Sequence, residues 1–220
     1  MSDFLSFDTL SLHAGQTLDS EFGSRAQPIH QTTSYVFTDT DTASSLFNLE
    51  RGGHVYNRIS NPTVGVLEQR VAALEGGSAS VCVSSGMSAV FCALTALVSQ
   101  GDHVVASANM YGGNISLLKN TLPRFGITAT FVDPTDIKQI ESAIQENTKI
   151  IFGELIGNPG LSVMDIEAVS KICSKHHLPL MIDGTFNTPY LCRCFEYGAN
   201  IIVHSLTKWM GGHGTSIGGV

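Results

Sequence analysis

Ile201-Ile202-Val203-His204, followed by Ser205-Leu206-Thr207-Lys208, is the stretch on which the fold class turns. The β-branched run reads as a buried strand. Two hydroxyls and a lysine follow at its carboxyl end, then a flexible Gly211-Gly212-His213-Gly214 segment. Leu180-Met181-Ile182-Asp183 repeats the pattern upstream, with a carboxylate at the strand end. Working outward, Ser80–Ser84, His103–Ala106, Thr128–Val132 and Ile150–Glu154 also read as strands. Between them, Gly86–Val98, Asn114–Leu122, Asp136–Gln145 and Asp165–His176 carry helical patterns. Strands alternating with helices predict an α/β fold with a mostly parallel sheet. Ligands on such sheets gather outside the carboxyl ends of the strands. Ser84–Met87, Tyr111, Glu154–Asn158, Asp183 and Ser205–Lys208 all fall there.

An earlier helix starts at Asn61-Pro62, where Asn61 suits a cap and Pro62 a first turn. Val64, Leu67, Val71 and Leu74 recur at helical spacing up to the Gly76-Gly77 stop. Residues 1–57 read as irregular, and Ser24 to Phe37 as an arm that packs on something else. The expected division is an N-terminal arm over 1–60 and an α/β large domain over 61–220. Gly218-Gly219-Val220 reads as the start of a further strand, so the sequence reads as the front part of a larger protein, or a fragment.

The residues at the strand ends carry a chemistry. A lysine at a strand mouth can form a Schiff base with a cofactor aldehyde, and Ser205 and Thr207 beside Lys208 can hold a phosphate. Asp183 can pair with a protonated pyridine nitrogen. Those are the demands that pyridoxal phosphate, PLP, makes of a protein. Taken alone, a lysine after a strand is usually a solvated surface residue; the neighbouring residues favour the cofactor reading. Ser84-Ser85-Gly86-Met87 joins a strand to a helix whose free amides welcome an anion, although it also reads as an ordinary serine cap. Tyr56 and Arg58 can both reach a phosphate from an extended segment, or lie at the surface. Tyr111, before Gly112-Gly113, suits stacking on a flat ring or plain packing. Asn158 can donate to a phenolate oxygen, or mark a turn with Pro159.

The totals bound the alternatives. With 43% hydrophobic and 14% charged residues, the chain has the composition of a compact, heavily buried protein and not of a disordered one. The net charge of −7 argues against nonspecific binding to nucleic acid or an anionic membrane. The five cysteines, an odd number without secretory context, suggest reduced thiols. Cys192 and Cys194 form only a C-x-C pair, and the eight histidines show no tight ligand spacing, so no metal is expected. Met1 to Gly15, with Asp3 and Asp8, lacks the basic and apolar regions of a signal peptide, and no apolar run approaches a membrane span. A cytoplasmic location is the expectation. Neither G-x-x-x-x-G-K nor G-x-G-x-x-G follows the first strand, which disfavours a nucleotide-binding reading.

Along almost its whole length the sequence resembles the Cys/Met-metabolism PLP-dependent enzymes. The motifs that carry the resemblance are Thr9-Leu10-Ser11-Leu12-His13-Ala14-Gly15, Gly23-Ser24-Arg25-Ala26 with Pro28-Ile29, Gln31-Thr32-Thr33-Ser34-Tyr35-Val36-Phe37 and Tyr56-Asn57-Arg58-Ile59-Ser60-Asn61-Pro62-Thr63. Ile156-Gly157 before Asn158-Pro159 resembles the sulfhydrylase branch more than the lyase branches. The resemblance implies the aspartate-aminotransferase-like fold, PLP fold type I. It also implies γ-replacement on O-acetyl-L-homoserine with sulfide or methanethiol, in methionine and cysteine biosynthesis. By the same resemblance Lys208 anchors the cofactor and shuttles protons, and Asp183 faces the pyridine nitrogen. Ser85, Gly86, Met87, Ser205 and Thr207 bind the phosphate, Tyr111 stacks on the ring and assists proton transfer, and Asn158 contacts the ring oxygen. A homodimer or homotetramer is implied, with Tyr56 and Arg58 completing the neighbouring site. Gly184 and Leu155 depart from the family's usual Asn and Ser or Thr. Family members run about double this length, so a small C-terminal domain and its carboxylate-binding Arg are expected beyond Val220. Two alternatives stay open: a γ-lyase of the same family, and an inactive PLP-binding fragment for the isolated chain.

Overall fold

The computed structural model describes residues 5–220; Asp3, part of the leader reading, lies outside them. The chain divides into two compact units. The first takes the chain up to Leu74 with Ser78–Ser80, and the second takes Glu75–Gly77 with Val81–Val220.

The first unit corrects the expectation of an irregular N-terminal region. Helix α1 spans Phe7–His13 and α2 spans Thr40–Phe47. Each opens on a side-chain cap: Ser6 Oγ accepts the Thr9 N–H at 3.4 Å, and Asp39 Oδ1 accepts the Thr42 N–H at 2.7 Å. Seven- and eight-residue helices are too short to show a clear apolar period, which is why the caps alone announce them. Helix α3, Pro62–Glu75, begins as the sequence implies, with Asn61 Oδ1 accepting the N–H groups of Thr63 and Val64. Within the segment expected to be an arm that packs on something else, His30 is tied to that start. Asn61 Nδ2 donates to the His30 carbonyl at 2.9 Å, and the His30 N–H donates to Thr63 Oγ1 at 2.9 Å.

The second unit is an α/β layer structure. After α4, Gly86–Leu97, come β1 (His103–Ser107), α5 (Gly112–Ser116), β2 (Thr128–Val132), α6 (Ile137–Ser142), β3 (Thr148–Glu154), α7 (Ile166–Lys175), β4 (Leu180–Asp183), α8 (Thr188–Leu191) and β5 (Ile201–Val203). The five strands form one sheet in the order β2-β1-β3-β4-β5, and every pairing is parallel. Alternate residues leave opposite faces of a strand, and here both faces are buried. Val104, Ala106, Ile150, Phe152, Met181 and Val203 pack with α4 on one face. Val105, Ile151, Leu180 and Ile182 pack with α7 on the other. Burial on both faces explains why the strands read as continuous apolar runs.

Two expected elements differ. Ser80–Ser84 does not form a strand: Val83 exchanges two backbone hydrogen bonds with Gly219, an isolated antiparallel bridge, and Val81 is 71% exposed. A ladder needs successive paired residues, and this segment meets its partner at one. The helix expected over Asn114–Leu122 is α5, a π turn over Leu117–Thr121 and a 3-10 turn over Leu122–Phe125. Pro123 cannot donate to a continuing α-helical ladder, and the winding changes ahead of it. Among the described residues no helix is long and apolar enough to cross a membrane.

Candidate active site

Parallel register sets the carboxyl ends of β3, β4 and β5 side by side. Glu154 lies opposite Asp183, and Asp183 opposite Val203. Beyond these ends a cavity of about 610 Å³ opens within the second unit. Its lining includes Ser85, Gly86, Met87, Tyr111, Asn158, Asp183, Ser205, Thr207 and Lys208, nine residues singled out from sequence. Tyr56 and Arg58 are not among them. They belong to the first unit, are exposed, and pair with each other, the Arg58 guanidinium lying 5.6 Å from the centre of the Tyr56 ring.

One wall is the N-terminus of α4. Ser85 caps it, its Oγ accepting the Ser88 N–H at 3.1 Å. The first N–H groups of a helix have no acceptor within it, so those of Gly86 and Met87 remain available to an anion. Gly86 is required by a close approach: a Cβ built there lies 2.5 Å from Ser205 Cβ. The absence of that carbon lets the hydroxyl loop after β5 sit against the helix end. Thr207 Oγ1 in turn is held by the Gly218 N–H at 3.1 Å. Lys208 is exposed and forms no ion pair among the described residues.

A second wall orients Asp183. Its Oδ1 accepts the Thr185 N–H at 3.0 Å and its Oδ2 accepts from Asn114 Nδ2 at 3.2 Å. Thr185 Oγ1 then accepts the Ser205 N–H at 2.8 Å, joining the loops after β4 and β5. Asn114 is 1% exposed, and its Oδ1 has no hydrogen-bond partner among the described residues.

Glu154, which the sequence places at the ligand end of the sheet without a role of its own, lines the same cavity at 5% exposure. Its Oε1 accepts the Tyr111 N–H at 2.7 Å and its Oε2 the Asn158 N–H at 3.1 Å. It therefore fixes the backbone of two predicted site residues. The signal available was a second carboxylate at a strand end. Asn114, Thr185, Phe186 and Trp209 also line the cavity and were missed. They sit beside recognised residues, but their inward direction depends on tertiary packing. Leu155 stays out of the cavity and packs in the core on the opposite sheet face.

Burial, with the charge of Asp183 adding to it, pushes the Glu154 carboxyl up to about 7 from 4.5. The fold thus favours the protonated acid. The stability carried by that proton is complete below about pH 4.5 and is lost as pH rises through about 7. Glu154→Gln is expected to flatten this part of the profile. Denaturation of the cofactor-free protein at about pH 5 and about pH 8 measures it, and an unchanged pH difference in the variant would contradict the assignment.

The family model for Cys/Met metabolism PLP-dependent enzymes matches residues 8–220. Homocysteine synthase of Schizosaccharomyces pombe is 50% identical over 215 residues, covering 97% of this chain and 50% of the relative. O-acetyl-L-homoserine sulfhydrylase of Leptospira meyeri is 49% identical over 213 residues, covering 97% and 48%. Among solved structures, a candidate O-acetylhomoserine (thiol)-lyase of Campylobacter jejuni superposes with a TM-score of 0.95 at 43% identity, covering 98% of this chain and 53% of that one. That crystal structure carries N'-pyridoxyl-lysine-5'-monophosphate. The chain spans about half the length of the curated relatives it matches.

Proposed function

The chain belongs to the Cys/Met-metabolism PLP-dependent enzymes, and on that premise we propose that the full-length protein replaces the acetyl ester of O-acetyl-L-homoserine with a thiol. Sulfide would give homocysteine and methanethiol would give methionine, with acetate released. The carbon–oxygen bond at the γ-carbon breaks, the carbon–sulfur bond forms there, and the thiol proton is given up. The observation that carries the reading is the convergence of Asp183, Lys208 and the α4 N-terminus on one cavity, in a chain half identical to a homocysteine synthase.

The donor set fits the cofactor. The Gly86 and Met87 amides with Ser85, Ser205 and Thr207 suit a phosphate. Asp183, held at both oxygens, suits a pyridinium. The Tyr111 ring suits one face of a flat ring and Asn158 its phenolic oxygen, and Lys208 suits covalent attachment. Pyridoxal phosphate, when bound, supplies an electron sink for the bond broken at the substrate α-carbon. Asp183 keeps the pyridine nitrogen protonated. Lys208 Nζ takes a proton from the α-carbon and then one from the β-carbon, and Tyr111 assists the transfer.

Product partition tests the reading. With O-acetylhomoserine and sulfide, homocysteine is expected to exceed 2-oxobutyrate, because a thiol admitted to the γ-carbon captures it before hydrolysis. Equal 2-oxobutyrate with and without sulfide, and no homocysteine, would make the protein a γ-lyase. Activity confined to the full-length protein would support the view that this half alone is an inactive PLP-binding piece.

The proposal includes a homodimer or homotetramer in which Tyr56 and Arg58 serve the phosphate of a neighbouring copy. Their exposure supports it. A mixture of Arg58→Ala and Lys208→Ala proteins is then expected to regain activity, since one hybrid site keeps both residues. In dimers mixed at random, recovery should reach about a quarter of the parent. Hybrids that form and stay inactive would place Arg58 outside a shared site. Cys92, Cys173, Cys192 and Cys194 are free thiols, which supports a reducing, cytoplasmic setting.

A further inference from the structure

A carboxylate and an imidazole are buried together behind the cavity, and no step proposed above uses them. Glu75, the last residue of α3, is 3% exposed, and His204, the first residue after β5, is 2% exposed. Both belong to the second unit. His204 Nε2 and Glu75 Oε1 lie 2.5 Å apart. Glu75 Oε2 and His204 Nδ1 have no hydrogen-bond partner among the described residues. Such a pair is an expensive way to stabilise a core. Removing water from both groups costs much of what their contact returns, and each orphan atom adds to the cost. Apolar residues of similar volume would serve a core as well.

The position of the pair suggests what it does. His204 does not line the cavity, but Ser205, the next residue, does. The His204 backbone is bonded on both sides to Val220, its N–H at 2.9 Å and its carbonyl at 3.1 Å. Its ring also lies against the loop after β4. A Cβ built on Gly184, the residue after Asp183, falls 2.6 Å from His204 Cε1. The Gly184 N–H donates to the Val203 carbonyl at 2.9 Å. The imidazole is thus gripped by Glu75 on one side and touches the Asp183 loop on another, and its own backbone launches Ser205–Lys208. The glycine that departs from the family's pattern is the residue that leaves room for this ring.

We propose that Glu75 and His204 are positioning residues for the cofactor site. Their buried hydrogen bond fixes the chain at 204–205, and with it the Ser205 and Thr207 hydroxyls and Lys208. The inference rests on the proposed assignment of that loop to the cofactor.

The test separates positioning from stability, using the full-length protein and pyridoxal phosphate itself as the probe. Glu75→Met/His204→Leu removes both polar side chains and fills the space. It is expected to unfold within a few degrees of the parent, yet to bind pyridoxal phosphate at least about tenfold more weakly. Borohydride should also fix less cofactor to Lys208. Glu75→Gln, which can still accept from Nε2–H, is expected to restore most of the affinity. Glu75→Asp keeps the carboxyl group but retracts it, and serves if the double variant does not fold; it too is expected to lose affinity. Folded variants that bind with parental affinity and label Lys208 at the parental rate would overturn the proposal. A parent whose label maps to another lysine would instead overturn the assignment of the loop.

Discussion

Lys208→Ala is expected to lower homocysteine formation by about four orders of magnitude, the largest effect of any single change in this chain. The proposal gives the side chain two tasks, covalent attachment and proton transfer at the α- and β-carbons, and no other lysine lines the cavity to take over either. Lys171 and Lys175 are the nearest lysines in sequence. Both lie on α7, ion-paired to Glu167 and Glu141 at 2.9 and 2.6 Å, and neither lines the cavity. Borohydride reduction of the parent, followed by peptide mapping, checks the attachment directly. A label on any lysine other than Lys208 would refute the assignment, whatever the loss of activity in the variant.

Asp183→Ala is expected to lower turnover by about three orders of magnitude while changing retention of the cofactor by less than about tenfold. The asymmetry follows from the geometry. In the proposed assignment the phosphate would have its own set of partners among the cavity-lining residues of the α4 N-terminus and the Ser205–Thr207 loop, so the ring would stay seated without the carboxylate. Turnover would depend on Asp183 because, in the proposed assignment, its carboxyl group would pair with the pyridine nitrogen and keep it protonated. The Thr185 N–H and the Asn114 amide hold both oxygens in place for that contact. Asn114→Ala is a milder version of the same change: Oδ2 loses one donor and the carboxyl group remains. Near-normal turnover in Asp183→Ala would show that another group protonates the ring.

How far the site could be read from sequence depended on whether a residue's role follows from its place along the chain. Asp183, Ser205, Thr207 and Lys208 stand at strand ends, and in a parallel sheet every strand end of that kind faces the same side. Gly86 and Met87 open a helix that follows a turn, and a helix start presents its amides wherever it lies. Glu154 satisfies the same rule as Asp183, but the cofactor asks for one carboxylate at a strand end and Asp183 already supplies it. Its role, holding the N–H groups of Tyr111 and Asn158, is visible only once those loops are folded together. Asn114 could not be found in this way. It is an ordinary helix residue until α5 brings its amide within reach of both Glu154 and Asp183.

The same division holds for the fold. Alternating apolar runs and helical periods determined an α/β chain with a parallel sheet, because burial on both faces and right-handed crossovers leave a sequence little else to do. The sequence also determined where the strands end, to the residue for β2, β3 and β4 and within one residue for β1 and β5. It could not determine that Ser80–Ser84 would lack a ladder, since pairing depends on how many residues of another segment arrive beside it, and here one does. Nor could it bring Glu75 to His204, 129 residues away in the chain. Period and capping are local properties, written in neighbouring residues. Register, close approach and the burial of a hydrogen-bonded polar pair are decided by distant segments meeting in space, and only the tertiary structure makes those choices.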